Sequence, residues 1–205
     1  MKRMRCAILA VVVLLAMFAG CGAVDSESNM VFVDKNGQVV TIDVEEFDKS
    51  YYSEDGFKTF AQEAIDEYNR SHEVDAITLT EFTVTEGVAK LKMEYKSVKD
   101  YSDFNEITMY QGSIADAVNE GYLFDVDFSK VEKGEVTGKA SKADIFAEEG
   151  LKVVLIKANT DVQVDGTICY VSSQNVTVAA KDMVSIYDEE NTSLSTDVCT
   201  YIIYK

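Results

Sequence analysis

The chain has 205 residues, with 36 Asp and Glu against 19 Lys and Arg, which gives a net charge of −17 at pH 7. Proteins that follow nucleic-acid phosphates need clustered Lys and Arg, so this balance excludes nucleic acid as a partner. The absence of proline excludes a proline-stiffened stalk and a PxxP ligand.

A basic start and a short apolar run open the chain. Three of the first five residues are Lys or Arg, and the apolar segment 7–19 follows them. This segment is shorter than the roughly 20 residues that a membrane-spanning helix needs. The order is typical of a signal peptide, which we assign to residues 1–20. The segment ends in the sequence FAGC, from Phe18 to Cys21, which resembles the lipobox of bacterial lipoproteins, with Phe18 where Leu is usual.

The resemblance implies that a diacylglyceryl group is transferred to the Cys21 sulfur and that the chain is cleaved before Cys21. Acyl chains of the palmitate type would then hold the protein to the extracytoplasmic face of the bacterial cell membrane, because two or more chains bind durably where one does not. Residues 21–29 would form a lipidated tether, and eight extended residues reach at most roughly 28 Å. The alternatives are an unmodified signal peptide with a chance cysteine, and an uncleaved anchor.

Removal of residues 1–20 takes away three basic residues and no acidic one, so the net charge changes from −17 to −20. Such a body is repelled by anionic lipid, which leaves the attachment to the acyl chains. We interpret the negative charge as a feature that keeps the protein soluble. The more specific alternative is that it attracts cations or basic partners.

Residues 30–150 predict an α+β region that contains antiparallel hairpins. Asn36-Gly37 lies between two β-rich runs, and this pair tolerates the positive φ of a hairpin turn. A second hairpin is predicted at Glu86-Gly87, before a segment of clean apolar and polar alternation.

One long helix and two or three short helices are predicted in the same region. The long helix covers 53–72, with Ser53 as N-cap. Its apolar positions recur every three or four residues, and we expect this stripe to face the core. Short helices are predicted after Ser97 and Ser113, and a helical turn near 145–149. The polar segment 124–144 is predicted to be a connection.

Residues 151–205 predict an all-β part that forms a small barrel or sandwich. Short β-rich runs follow one another at turn residues. We leave open whether this part is a separate small β domain or a β extension of the domain formed by residues 30–150.

Two cysteines besides Cys21 remain in the mature chain, and both lie in strand-like segments. An exported protein meets oxidising conditions, so Cys169 and Cys199 could form a disulfide. Two buried thiols are the alternative, and the sequence favours neither.

The search for chemistry finds no catalytic residue, no metal ligand set and no cofactor motif. His72 is the only histidine, and no serine lies in a nucleophile motif. Zinc is not expected from so few His and Cys residues. The carboxylate groups Asp125/Asp127 and 43–48 are interpreted as solvated faces, with calcium left open. Tyr51, Tyr52 and Tyr122 could stack on a sugar, although core or rim positions are the simpler interpretation.

The carboxyl segment 166–188 and the terminal YIIYK resemble the tails of small lipoproteins of uncharacterised function from Gram-positive anaerobes, a resemblance that carries no activity with it. We therefore expect a membrane-anchored, non-catalytic lipoprotein that binds a protein, glycan or small ligand in the cell envelope. The alternatives are a carboxylate-based hydrolase acting on envelope polymers, and a solute-binding accessory of a transporter.

Overall fold

The structure, a computed structural model, describes residues 24–188 and 193–205. Within these ranges the chain forms thirteen strands and four helices. The strands are β1 (Met30–Val33), β2 (Val39–Glu46), β3 (Ile77–Thr85), β4 (Val88–Tyr95), β5 (Met109–Ser113), β6 (Phe128–Glu132), β7 (Glu135–Ala140), β8 (Lys152–Ala158), β9 (Asp161–Val164), β10 (Ile168–Ser172), β11 (Val176–Ala180), β12 (Met183–Ile186) and β13 (Ser195–Tyr204). The helices are α1 (Glu54–Ser71), α2 (Val98–Asn105), α3 (Ile114–Asn119) and α4 (Lys142–Ala147).

The strands form two sheets. The seven-stranded sheet has the order β11-β12-β9-β1-β2-β4-β3, and the six-stranded sheet has the order β5-β8-β13-β10-β6-β7. β1 pairs with β9 in parallel, and the other described pairs are antiparallel. Both sheets are open, so within the described ranges neither closes into a barrel. The predicted α+β class, with a β-rich carboxyl-terminal part, is confirmed.

The hydrophobic core has two parts, one on each face of the six-stranded sheet. Along β8, Val154 and Ile156 point into a large cluster that also contains side chains of the seven-stranded sheet, so the two sheets face each other. Val153 and Leu155 point the other way, into a second cluster with Ile145 of α4. Because side chains alternate along a strand, an apolar run like β8 can bury both of its faces.

Serine hydroxyls start all four described helices. Each accepts a hydrogen bond from a backbone N–H three residues ahead, which satisfies a donor that has no partner inside the helix. The N-caps are Ser53, Ser97, Ser113 and Ser141. The predicted starts at the first three are therefore confirmed, and the predicted helical turn near 145–149 is α4, which begins three residues earlier.

The predicted hairpin at Asn36-Gly37 joins β1 to β2. Gly37 has a φ of +88°, and the Asp34 carboxylate accepts hydrogen bonds from the backbone N–H groups of Asn36 (2.7 Å) and Gln38 (2.8 Å). The loop is therefore held by Asp34 as well as by glycine.

The prediction that 124–144 is a connection is wrong. The segment contains β6 and β7, which pair as a hairpin, and its turn residues Lys133 and Gly134 both have positive φ. β7 is almost wholly exposed, so it lacks the apolar alternation that marks a half-buried strand.

The strands of 151–205 are divided between the two sheets. β9, β11 and β12 belong to the seven-stranded sheet, where β9 pairs with β1, while β8, β10 and β13 belong to the six-stranded sheet, where β8 pairs with β5. The carboxyl-terminal segment is thus interleaved with the strands of 30–150.

Candidate functional site

The predicted lipid-attachment residue, Cys21, and the signal segment 1–20 lie outside the described residues. None of the described helices is long and apolar enough to cross a membrane. The first described residues, 24–29, lie against the seven-stranded sheet. Lys92 Nζ donates to the carbonyl oxygen of Val24 at 2.8 Å, and the backbone N–H of Val44 donates to Asn29 Oδ1 at 2.6 Å.

Cys169 lies on β10 and Cys199 on β13, and both are free thiols. In the β10–β13 pair, Ile168 is opposite Tyr204 and Tyr170 is opposite Ile203, so Cys169 lies beside the carboxyl end of β13. Cys199 lies earlier on β13, three residues before Ile202. At about 3.3 Å per residue the two cysteines are separated by more than ~10 Å along the strands, beyond the roughly 7 Å that a disulfide allows between Cα atoms. Burial raises the pKa of both thiols.

His72 follows α1 and stacks on Tyr68, with ring centroids 3.8 Å apart and an interplanar angle of 5°. Its Nδ1 lies 2.9 Å from the carbonyl oxygen of Tyr68 and 3.0 Å from Ser71 Oγ. The ring is thus engaged by its own helix end. It lines an open groove of about 860 Å³ whose other walls are mostly charged: Glu63, Asp66, Glu67, Asn69, Arg70, Val74 and Asp75.

Among the described residues no group of three or more His, Cys, Asp or Glu side chains is arranged to hold a metal ion. The carboxylates predicted as solvated faces are mostly exposed, as expected from their position in the sequence. Asp48 pairs with Lys49 at 2.9 Å. Asp43 is the exception, because its carboxyl group is largely buried.

Aromatic side chains gather at one end of the seven-stranded sheet, where β2 ends and α1 begins. We call this surface the aromatic patch. It consists of Phe47, Tyr51, Tyr52, Phe57, Phe60 and Phe82.

The patch is held by the β3–β4 turn and by the N-cap of α1. The backbone N–H of Phe47 donates to the carbonyl oxygen of Gly87 in that turn, at 2.6 Å. Gly87 has a φ of +79° and leaves room for the Asp48 side chain beside it. The backbone N–H of Tyr52 then donates to the carbonyl oxygen of Lys49, which closes a turn just before α1.

Five of the six rings pack on one another, Phe60 lies three residues after Phe57 on α1, and the patch still reaches solvent. Ring centroids lie 4.8 Å apart for Phe47 and Tyr52, 4.9 Å for Tyr51 and Tyr52, and 5.0 Å for Phe57 and Phe82. Tyr51 is 77% exposed, Phe60 69%, Tyr52 43% and Phe57 36%. The expectation that the apolar stripe of α1 faces the core is therefore met only in part, since Ile65 is the one buried side chain of the helix.

Exposed carboxylates lie in the same chain segments as the aromatic patch and beside them, and we call them the acidic rim. They lie at the end of β2, in the following loop, in the first turn of α1 and at the β3–β4 turn. The rim residues are Glu45, Glu46, Asp48, Glu54, Asp55 and Glu86. Lys49 and Lys58 are the basic residues of the same segments, which leaves a local excess of four negative charges.

Asp43 lies on β2, on the same face of the seven-stranded sheet as Phe82 of the patch. In the sheet register it is opposite Leu91, which is opposite Phe82 of the patch. Burial raises the pKa of Asp43 to about 6, the hydroxyl of Thr41 acts in the opposite direction, and the negative charge of Glu45 adds to the rise.

Tyr51 and Tyr52 are among the residues considered for stacking on a ligand, but their association with the four Phe residues of the patch was not predicted. A composition signal was present, because five aromatic residues occur in the fourteen residues 47–60, against 21 in the whole chain. This density is more than three times the average for the chain.

Comparison of the chain with protein-family models, with curated proteins and with solved structures finds no match.

Proposed function

We propose that this protein is anchored through a diacylglyceryl group on Cys21 to the extracytoplasmic face of the bacterial cell membrane, where it binds a partner in the cell envelope without catalysis. The observation that carries the binding role is the aromatic patch, where Tyr51 and Phe60 are more than two-thirds exposed.

Exposed aromatic clusters of this kind are unusual on a free surface. Single exposed apolar residues are normal, but contiguous apolar patches mark interaction sites. Tyr and Phe are also enriched at protein interfaces, because they combine a large apolar area with few rotatable bonds. The patch therefore supports a binding role more directly than the groove beside His72, which is open and mostly charged.

The contacts of residues 24–29 support attachment close to the bilayer. Lys90 pairs with Asp25, and Lys92 holds the carbonyl of Val24. Only three peptide units separate Cys21 from Val24, so the free span is about 10 Å at most. A lipid on Cys21 would hold this face of the seven-stranded sheet near the headgroups, while the acidic body remains in solvent.

The anchor is tested by mass spectrometry of the amino-terminal peptide from protein expressed in its native bacterium. We expect a peptide that begins at Cys21 and carries a diacylglyceryl group, and we expect the protein to partition into the detergent phase. A peptide that begins elsewhere, or an unmodified Cys21 thiol in protein that is released from membranes without detergent, would contradict the anchor.

The binding role is tested by site-specific photo-cross-linking in living cells. A benzophenone amino acid in place of Tyr51 is expected to give a discrete cross-linked product. The matched control places it at Phe146, an exposed aromatic residue of α4 on the other side of the six-stranded sheet. Identical products from both positions, or none from Tyr51, would count against the patch as a binding surface.

The carboxylate-based hydrolase remains the second candidate because of one observation. Asp43 has a pKa of about 6, so it can hold a proton near neutral pH, as a general acid must. Glu45 is two residues along the same strand face. Loss of a peptidoglycan- or glycan-hydrolysing activity in Asp43→Asn would favour this candidate, and the absence of such activity in the unaltered protein would favour the binding role.

A further inference from the structure

We propose that the occupant of the aromatic patch is a cationic, Lys- or Arg-rich segment of polypeptide. This inference rests on the proposed binding function and specifies the chemistry of the partner.

Charge complementarity is the first reason. The segments that form the patch and its acidic rim carry six exposed carboxylates against two lysines, and one of these, Lys49, is engaged by Asp48. An anionic or neutral partner would gain nothing from this rim. A basic segment would exchange its mobile counterions for fixed carboxylates, and its encounter with the patch would be accelerated by attraction.

The chemistry of the rings is the second reason. Ammonium and guanidinium groups bind to the faces of aromatic rings because the ring quadrupole is negative there. Tyr51 and Phe60 have the most exposed rings of the patch. The methylene stems of Lys or Arg can cover such rings while their charged ends reach rim carboxylates such as Glu45, which shares a sheet face with Phe82, and Asp55.

The arrangement of the rings argues against a glycan. An oligosaccharide stacks on ring faces that lie in one plane. Here the Tyr51 and Tyr52 rings meet at 78° and the Phe47 and Phe57 rings at 76°, while the most nearly parallel pairs are still tilted by 30° and 34°. The patch presents edges and faces together, which suits side chains that enter from several directions.

The experiment uses the full lipid-anchored protein in phosphatidylcholine vesicles. The probe is a ten-residue peptide of alternating Lys and Gly with one added Trp. Because the protein itself has no Trp, the fluorescence anisotropy of the peptide reports binding directly. The comparison probes are a Ser-Gly peptide and a Glu-Gly peptide of the same design, and a fluorescently labelled chitin oligosaccharide.

We expect the Lys-Gly peptide to bind most tightly, and we expect its affinity to fall at least about fivefold between 50 and 500 mM NaCl as the rim is screened. The double variant Tyr51→Ala, Tyr52→Ala is expected to weaken binding about five- to thirtyfold, from two exposed cation–π contacts. The variant Phe146→Ala is its control and should bind as the unaltered protein does.

The contribution of charge is tested separately with Glu45→Gln, Glu86→Gln. This variant should bind the Lys-Gly peptide several times more weakly and should lose part of the salt dependence. Its control, Glu135→Gln, Glu149→Gln, removes the same number of exposed carboxylates from the other part of the molecule and should have little effect.

The outcomes separate the two proposals. Equal or tighter binding of the Ser-Gly peptide or the oligosaccharide, abolished by the Tyr51/Tyr52 variant, would overturn the cationic partner and leave the patch as a binding surface. Binding of the Lys-Gly peptide that the Tyr51/Tyr52 variant does not weaken would overturn the patch itself. Failure of every probe to bind would overturn the cationic inference.

Discussion

The buried carboxyl group of Asp43 gives the sharpest prediction about stability. The pKa of this group is raised from 3.8 to about 6, chiefly by burial. The folded protein therefore binds this proton more tightly than the unfolded chain does. Between these two values the contribution of Asp43 to stability falls as the pH rises, and above about pH 6 the full penalty of an ionised, buried carboxylate is present.

The magnitude follows from the size of the shift. A change of about two pKa units corresponds to about 3 kcal/mol between the two protonation states. Asp43→Asn removes the titration and keeps the side-chain volume. We expect the variant to be more stable than the unaltered protein by about 1–3 kcal/mol at pH 7, and the difference to shrink towards zero near pH 4.

The assay is urea unfolding, followed by circular dichroism, of both proteins at four pH values from 4 to 7. Only the difference between them is interpreted, since the remaining carboxylates titrate in both. Asp144→Asn is a control of opposite sign, because the Ser141 backbone N–H and hydroxyl lower the pKa of Asp144. That variant should be the less stable partner at every pH of this range, with a nearly constant deficit, because the contribution of Asp144 is lost only as the pH falls below the unfolded value of 3.8. A difference for Asp43→Asn that does not change with pH would refute the reasoning.

The remaining predictions concern packing, backbone and thiols. Ile145→Ala removes a fully buried side chain from the second core cluster and should cost about 2–4 kcal/mol in urea unfolding, whereas Phe146→Ala beside it, which is 45% exposed, should cost less than about half of that. Gly134 has a φ of +84°, and a Cβ atom at this position would lie 3.0 Å from the backbone nitrogen of Lys181. Gly134→Ala should therefore lower the free energy of unfolding by more than about 1 kcal/mol in the same assay. Cys169 and Cys199 should both be alkylated after unfolding without reductant, and slowly in the folded state at pH 7 because burial raises their pKa; a mass that shows neither labelled would contradict this.

Local features of the fold were predictable because their causes are local. A serine hydroxyl before an acidic first turn starts a helix whatever packs on it later, as Ser53, Ser97 and Ser113 show. Gly37 and Gly87 have the positive φ that their hairpins require. These signals need only a few neighbouring residues.

The features that were not predicted from the sequence depend on residues that are distant in the chain. The exposed strand β7 forms because β6 and the Lys133-Gly134 turn hold it, and its own side chains bury almost nothing. β9 has four residues and owes its place to parallel pairing with β1, about 130 residues earlier in the chain. No pattern within such a segment records which strand will lie beside it.

The aromatic patch could not be predicted from the sequence for the same reason. The period of an amphipathic helix indicates which residues share a face, but the extent to which that face is covered depends on what packs against it. The stripe of α1 packs on the core at Ile65 and contacts β3 through the ring of Phe57 on Phe82, while Phe60 extends past the covered surface. Only the density of aromatic residues in 47–60 hinted at this.

The stability of α1 connects the fold to the proposed function. Burying a Phe or Ile side chain contributes roughly 1.5–3 kcal/mol to the free energy of folding. In α1 only Ile65 is fully buried. Polar contacts add to this: Asn69 accepts a hydrogen bond from the backbone N–H of Ile77 (2.9 Å) and donates one to its carbonyl oxygen (2.8 Å). Because neither these contacts nor Ile65 uses Tyr51 or Phe60, the two most exposed rings of the patch stay available for a partner, and the apolar area they expose is free energy that binding, rather than folding, can recover.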